Sequence, residues 1–167
     1  MTIKVGINGF GRMGRLAFRI AYEHKELEVI QINDPQCNAE TAAHLVSYDS
    51  THGKWLHEAD HEERHLVVGL QRIACTQNKL IDETDWSECD VVIEASGVMR
   101  KKSLLQTYLN QGVKRVVVTA PVKEEGVLNV VMGVNDHLFN PDEHAIVTAA
   151  SCTTNCLAPV VKVLQES

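Results

Sequence analysis

The 167-residue sequence lacks any apolar run that approaches the roughly 20 residues needed for a membrane-spanning helix. It also lacks an excess of positive charge, since 16 lysines and arginines stand against 22 aspartates and glutamates, for a formal net charge of -6. Nucleic acids and membrane surfaces are therefore not expected partners. A strand-like pattern begins at Ile3, so no signal peptide is expected.

The sequence also lacks the cysteine pattern of a disulfide framework, because its five cysteines are odd in number and scattered. Reduced thiols in a cytoplasm are the expected state. His57, His61 and His65 are spaced four residues apart, but their segment is charged throughout and is interpreted as a solvated loop. No metal site is predicted.

Short β-branched runs alternate with helical segments, which predicts an α/β fold with a Rossmann-type, doubly wound and mostly parallel sheet. Strands are predicted at 3–8, 29–33, 91–93, 115–119, 127–134 and 146–149, and helices at 15–24, 39–46 and 102–110. Two short apolar runs, 66–68 and 73–75, flank a glycine-containing turn. They predict an antiparallel hairpin inserted into the α/β pattern.

A G-x-G-x-x-G motif lies between the first predicted strand and the first predicted helix. Its residues are Gly9, Phe10, Gly11, Arg12, Met13 and Gly14. Asp34 ends the next strand, about 20 positions after the last glycine, which is the spacing typical of dinucleotide-binding folds. An aspartate here can accept hydrogen bonds from ribose hydroxyls, and its charge disfavours a 2′-phosphate. The pattern therefore predicts binding of NAD rather than NADP.

A second informative segment, SCTTNC, spans residues 151–156 after an apolar strand. Cys152 lies between a strand end and a helix start, where helix amides can stabilise a thiolate, so it is a candidate nucleophile. The hydroxyls of Ser151 and Thr153 and the free amides could hold an anion at the same point. Pro159 would kink a helix that begins at Cys152 and would suit one that begins nearer Cys156 better, and the sequence leaves both starts open.

These motifs together resemble the phosphorylating glyceraldehyde-3-phosphate dehydrogenases over essentially the whole chain. The matching segments are VGINGFGRMGR (5–15), INDP (32–35), YDSTHGKW (48–55), EASGV (94–98), KRVVVTAP (114–121), VVMGVN (130–135) and ASCTTNCLAP (150–159).

The resemblance implies that Cys152 attacks an aldehyde to form a thiohemiacetal, that hydride passes to NAD, and that inorganic phosphate releases the resulting thioester. Ser151 and Thr153 match positions that contact phosphate or substrate oxygens. The cofactor-binding residues implied are Gly9, Phe10, Gly11, Arg12, Met13, Gly14, Asp34, Ser96, Gly97 and Thr119. The family implies a phosphorylated aldehyde as substrate and a homotetramer as the full assembly.

The resemblance also implies a domain division, with residues 1–150 as the NAD-binding Rossmann domain and 151–167 as the start of the helix that carries the catalytic cysteine. In the family a second domain supplies a histidine base. All eight histidines here precede Cys152, so the chain alone is expected to be inactive. The alternatives are a non-catalytic NAD-binding or interaction module, or a branch that uses erythrose 4-phosphate, or arsenate in place of phosphate.

Overall fold

The computed structural model describes residues 2–167. Over this range the chain forms eleven strands: β1 (Ile3–Asn8), β2 (Leu27–Asn33), β3 (Tyr48–Asp49), β4 (Gly53–Lys54), β5 (Ala59–Glu62), β6 (His65–Val68), β7 (Gln71–Thr76), β8 (Val91–Glu94), β9 (Arg115–Val118), β10 (Leu128–Asn129) and β11 (Ile146–Thr148). The α-helices are α1 (Arg12–Glu23), α2 (Ala39–Ser47), α3 (Lys102–Asn110) and α4 (Cys152–Glu166), and single 3-10 turns lie at Ile81–Glu83 and Asp136–Leu138.

Nine strands form one sheet in the order β10-β11-β9-β8-β1-β2-β7-β6-β5. Every neighbouring pair from β10 to β7 is parallel, and β7, β6 and β5 pair antiparallel. The strand order reverses between β1 and β8, which is the switch point where such sheets open a crevice. The predicted Rossmann-type, mostly parallel sheet with an antiparallel hairpin is confirmed, and the hairpin lies in the sheet itself because β7 also pairs with β2.

Two apolar clusters cover the opposite faces of the sheet. Val5 and Ile7 of β1 pack with α1 and α2 in one cluster. Gly6, between them, faces Trp86, which belongs to the second cluster with Leu105 and Tyr108 of α3. The alternation along β1 therefore buries a strand on both faces and holds its carboxyl end at a fixed place in the sheet.

Two predicted elements need correction. Helix α1 begins at Arg12 rather than at residue 15, because the chain is already helical at the second half of the glycine motif, where Arg15 N donates to Gly11 O at 3.1 Å. The strand predicted at 127–134 is wrong beyond Asn129. Asn135 Oδ1 accepts from Val131 N at 2.7 Å, and the left-handed Gly133 (φ 77°) turns the chain away from the sheet.

Helix α4 begins at Cys152 and includes Pro159. The structure therefore selects the earlier of the two starts that the sequence left open. Proline has no N–H, so the carbonyl of Asn155 lacks its usual intrahelical donor at that turn. Among residues 2–167, no helix has both the length and the apolar character required to cross a membrane.

Candidate functional site

A tight glycine turn forms the floor of a crevice at the carboxyl end of β1. Gly9 has a left-handed backbone (φ 92°), and its N–H donates to Asn33 O at 2.7 Å. A Cβ atom on Gly9 would lie 2.4 Å from Ser96 N, so the turn is packed directly on the backbone that follows β8. Only glycine fits this position, because both the backbone conformation and the contact exclude a side chain.

The other two glycines of the motif have opposite surroundings. A Cβ atom on Gly14 would lie 2.0 Å from Gly9 O, so this residue allows α1 to pack against the turn. A Cβ atom on Gly11 would meet no heavy atom within 4 Å. Gly11 thus leaves open space at the N-terminus of α1, where unpaired amides and the helix dipole favour a phosphate.

Asp34 lies at the end of β2 beside this turn. Its Oδ2 accepts from Phe10 N at 2.8 Å and its Oδ1 from Gln36 N at 2.9 Å. Each oxygen keeps a lone pair for a further donor such as a ribose hydroxyl. The adjacent crevice, about 320 Å³, is lined by Asn8, Gly9, Asp34, Pro35, Gln36, Asn78, Lys79, Ser96, Val98 and Met99.

The other predicted cofactor residues of the glycine motif point their side chains in different directions. The Phe10 ring is buried against Phe18, with ring centroids 5.8 Å apart, and Phe10 contacts the crevice residue Asp34 through its backbone N–H. The Arg12 guanidinium points toward the β3–β4 turn, 3.6 Å from Asp49 Oδ2. Met13 is half exposed on the first turn of α1.

The residues that follow β8 and β9 use much of their polar capacity on the protein itself. The Ser96 hydroxyl donates to Glu94 and accepts from Val98 N at 3.3 Å. Gly97 is exposed and left-handed (φ 76°), and Thr119 N donates to the backbone oxygen of Glu94 at 2.9 Å. The Ser96 hydroxyl therefore shapes the turn, and the exposed surface beside the crevice is the backbone of Gly97.

Beneath the crevice lies a buried polar network that the sequence reasoning missed. Asn8, Asn33 and Glu94 end β1, β2 and β8, and all three side chains are buried. Asn33 Nδ2 donates to Asn8 Oδ1 at 2.8 Å, and Asn8 Nδ2 donates to Glu94 Oε2 at 2.8 Å. The available signal was a polar residue at the end of each of three buried strands, a position where apolar residues would otherwise be expected.

Tyr108 completes the network from α3. Its hydroxyl donates to Glu94 Oε2 at 2.6 Å and accepts from Asn8 Nδ2 at 2.7 Å. Burial, followed by the charge of Glu94, raises the pKa of Tyr108 far above its usual range. The tyrosine is therefore a neutral donor that helps to satisfy a buried carboxylate.

The second candidate centre lies at the start of α4. Cys152 is exposed, and Ser151 caps the helix by accepting from Thr154 N at 3.1 Å. The Ser151 hydroxyl is also 3.0 Å from the Thr153 hydroxyl and 2.7 Å from that of Thr154. Ala150 before them is left-handed (φ 55°), so the chain reverses sharply between β11 and the cysteine.

The crevice and Cys152 share one edge of the sheet, since β1 and β11 are connected through parallel neighbours. Three strand spacings separate β1 from β11, which places the two centres about 14 Å apart along that edge. An extended ligand anchored beside β1 and β2 could therefore reach the cysteine by crossing β8 and β9.

The three other cysteines are buried. Burial is the largest cause that raises the pKa of Cys37 to about 11 and that of Cys89 to about 12, and it also raises the pKa of Cys75. The interpretation of the histidine segment as a loop is wrong in part, because His61 and His65 lie on β5 and β6, whereas His57 lies before β5 and contacts Glu23 at 2.7 Å. Residues 2–167 hold no group of three or more His, Cys, Asp or Glu residues suited to a metal ion.

The glycine turn, the strand-order reversal and the strand-end aspartate define a dinucleotide-binding domain of the Rossmann class. Residues 3–102 match the family described as "Glyceraldehyde 3-phosphate dehydrogenase, NAD binding domain". The chain belongs to this family, and its cofactor is NAD. The predicted family and cofactor are thus confirmed.

Known relatives extend the similarity over nearly the whole chain. It is 48% identical to glyceraldehyde-3-phosphate dehydrogenase 3 of Nostoc sp., covering 99% of this chain and 50% of the relative. It is 43% identical to glyceraldehyde-3-phosphate dehydrogenase 2 of Bacillus subtilis, covering 99% and 49%, and 39% identical to glyceraldehyde-3-phosphate dehydrogenase 1 of Saccharomyces cerevisiae, again covering 99% and 49%. The chain spans about half the length of these curated relatives.

Proposed function

We propose that this chain is the NAD-binding part of a phosphorylating aldehyde dehydrogenase. Residues 1–150 form the cofactor domain, and 151–167 begin the helix that presents the nucleophile Cys152. The observation that carries the proposal is the position of an exposed cysteine at a capped helix N-terminus, on the same sheet edge as the NAD crevice.

The residues around the crevice divide the recognition of NAD among them. The first-turn amides of α1 at Arg12 and Met13 bind the pyrophosphate, with Gly11 leaving room for its approach. Asp34 accepts the ribose hydroxyls, and its charge repels a 2′-phosphate. Gly97 and Thr119 line the path toward Cys152. When bound there, NAD supplies the hydride acceptor for the oxidation of the aldehyde.

Cys152 carries the covalent steps. Its thiolate adds to the aldehyde carbon, a C–S bond forms, and the carbonyl electron pair moves to oxygen, where the Cys152 amide stabilises the charge. Loss of hydride from the thiohemiacetal leaves a thioester. A phosphate oxygen then attacks the acyl carbon, the C–S bond breaks, and the acyl phosphate leaves with the thiolate restored.

Ser151 and Thr153 contact the phosphate or substrate oxygens in this proposal. Their hydroxyls already lie 3.0 Å apart, so an anion bound here would join an existing hydrogen-bonded group. The substrates are a phosphorylated aldehyde and inorganic phosphate, and the assembly is a homotetramer in the cytoplasm. Arsenate and erythrose 4-phosphate are alternative substrates to be compared in the same assay.

Alkylation of the two cysteines on α4 tests the proposal with an internal control. Cys152 and Cys156 are both exposed, one helical turn apart. Iodoacetamide labelling, read by peptide mass spectrometry, should slow at Cys152 when glyceraldehyde 3-phosphate is added and stay unchanged at Cys156. Equal protection of both thiols, or of neither, would contradict the assignment of Cys152. Binding of NAD without protection would instead support a non-catalytic NAD-binding module.

Turnover is tested separately through NADH absorbance. All eight histidines precede Cys152 in the sequence. The last of them along the chain, His144, accepts from Asn140 N at 2.9 Å. The family resemblance places the histidine base after the cysteine, so we expect that the 167-residue chain alone does not turn over. Robust phosphate-dependent reduction of NAD by this chain would refute the expected inactivity.

A further inference from the structure

We propose that Glu94 is a positioning residue for NAD, with its two carboxylate oxygens divided between the protein core and the wall of the crevice. The inference rests on the NAD site proposed above. Glu94 is only 1% exposed, yet it lies at the end of β8, directly beside the switch point of the sheet. A buried carboxylate is costly unless each lone pair finds a donor.

The two oxygens have different partners. Oε2 accepts from Asn8 Nδ2 at 2.8 Å and from the Tyr108 hydroxyl at 2.6 Å, and both of these donors belong to the buried core. Oε1 accepts from the amide of Ser96 at 2.8 Å and from its hydroxyl. One oxygen therefore fixes the carboxylate from below, and the other holds the turn that follows β8.

That turn is one wall of the NAD crevice. Ser96, Val98 and Met99 line it opposite Asp34 and Asn78. The Ser96 backbone is also the surface against which Gly9 packs, as the 2.4 Å approach to an added Cβ indicates. Displacement of Ser96 would therefore move both a wall of the crevice and the support of the glycine turn.

The opposite wall is joined to the same network. Asn33 Oδ1 accepts from Asn78 N at 2.9 Å and from the Thr76 hydroxyl at 2.8 Å, and Asn33 Nδ2 reaches Asn8. Hydrogen bonds thus run from Asn78, under Gly9, to Ser96. Glu94 is the carboxyl group in this chain of hydrogen bonds and links Asn8 to Ser96.

Three single variants separate positioning from stability. Tyr108→Phe removes a donor on the core side and should lower the melting temperature while NAD affinity stays within about twofold of wild type. Ser96→Ala removes a donor on the crevice side and should raise the Kd for NAD about threefold with a small change in melting temperature. Glu94→Gln disturbs both sides and should lower the melting temperature and raise the Kd about tenfold.

A double variant separates positioning from direct contact by the Ser96 hydroxyl. If Ser96 acts through Glu94, then Ser96→Ala should add little to the Kd in a Glu94→Gln background, whereas a direct contact to NAD would give additive effects. All Kd values are measured by calorimetry at a temperature where circular dichroism shows every variant folded.

Different results would overturn the positioning role of Glu94 and the proposed NAD site. Kd values that follow the melting temperatures across the variants, additive effects in the double variant, or an unchanged Kd for Glu94→Gln would each overturn the positioning role. If Glu94→Gln does not fold, an unchanged Kd for Ser96→Ala overturns it, and a raised Kd beside an unchanged value for Tyr108→Phe supports it. Failure of the wild-type chain to bind NAD would instead overturn the proposed site.

Discussion

The glycine motif allows one substitution, glycine to alanine, to be made at two positions where both variants should lose NAD affinity but only one should lose stability. At Gly14 the new Cβ would lie 2.0 Å from Gly9 O, so α1 must move away from the turn. Overpacking of this kind against backbone costs about 3 kcal/mol, which for a chain of this size lowers the melting temperature by about 6–12 °C. NAD affinity should fall as well, because the displaced helix carries the amides that we propose to bind the pyrophosphate.

At Gly11 the new methyl group meets no heavy atom of the protein within 4 Å, and the backbone (φ -69°) is open to any residue. Loss of a good N-cap residue is offset by a smaller unfolded-state entropy, so the melting temperature should stay within about 2 °C of wild type. The methyl group would nevertheless occupy the space through which pyrophosphate approaches, and the Kd for NAD should rise more than about tenfold.

Thermal denaturation followed by circular dichroism, together with calorimetric titration of NAD, measures both quantities on the same samples. The two variants are each other's control, since they make the same chemical change three residues apart. A folded Gly11→Ala variant with wild-type affinity would refute the placement of the pyrophosphate at this turn. An unchanged melting temperature for Gly14→Ala would refute the packing of α1 on Gly9.

Three further predictions follow from other parts of the structure. Ala150 is buried and left-handed, so Ala150→Val should lower the melting temperature by several degrees, whereas the same change at the exposed Ala149 should have a small effect; equal losses would contradict the role of the backbone. Amide hydrogen bonds from His52 and Thr51 lower the pKa of Asp49 to about 2, so its stabilisation is present above its unfolded pKa near 4 and is lost as pH falls from about 4 to about 2. Asp49→Asn should therefore reduce the melting temperature at neutral pH but not at the acid end, and a constant difference across a pH series would be inconsistent with this reasoning. Iodoacetamide at neutral pH should label Cys152 and Cys156 in the folded chain, with Cys37 and Cys89 labelled only in denaturant, because burial raises their pKa values to about 11 and about 12; labelling of Cys37 at the rate of Cys152 would argue against this burial.

The hydropathy pattern of the sequence predicted those helices and strands whose apolar residues face a core. Strand β1 and helix α3 have the predicted bounds, and each ends at an asparagine, Asn8 or Asn110, directly after its last apolar residue. The same reasoning overextended the strand at 127–134, where a valine-rich run is turned by the side chain of Asn135 and by Gly133. Such turns depend on a hydrogen bond between residues four apart, which a hydropathy pattern does not contain.

At the candidate site, the structure agrees with the sequence spacing more closely for the glycines of the motif than for residues that were expected to act through their side chains. Gly9, Gly11 and Gly14 have the surroundings that the motif predicts. Phe10 and Ser96 differ, since the Phe10 ring packs into the core and the Ser96 hydroxyl is bonded to Glu94. Both partners are near in sequence, since Phe18 lies on α1 and Glu94 ends β8 two residues before Ser96. The spacing of a motif nevertheless does not contain the direction in which each side chain turns.

The buried network also has a consequence for the order of events during synthesis. Asn8 bonds to Glu94, 86 residues away, and to Tyr108, 100 residues away, so the contacts that close the crevice are among the most non-local in the chain. Contacts of high sequence separation form late, because a long loop must be closed before they are made. A nascent chain that has emerged only as far as α2 has its glycine motif and Asp34 but lacks the wall formed by Ser96, Val98 and Met99 and the Asn78 part of the opposite wall. We therefore expect competence to bind NAD to arise during translation only after the residues up to Met99 have left the ribosome, although the signature residues are synthesised first.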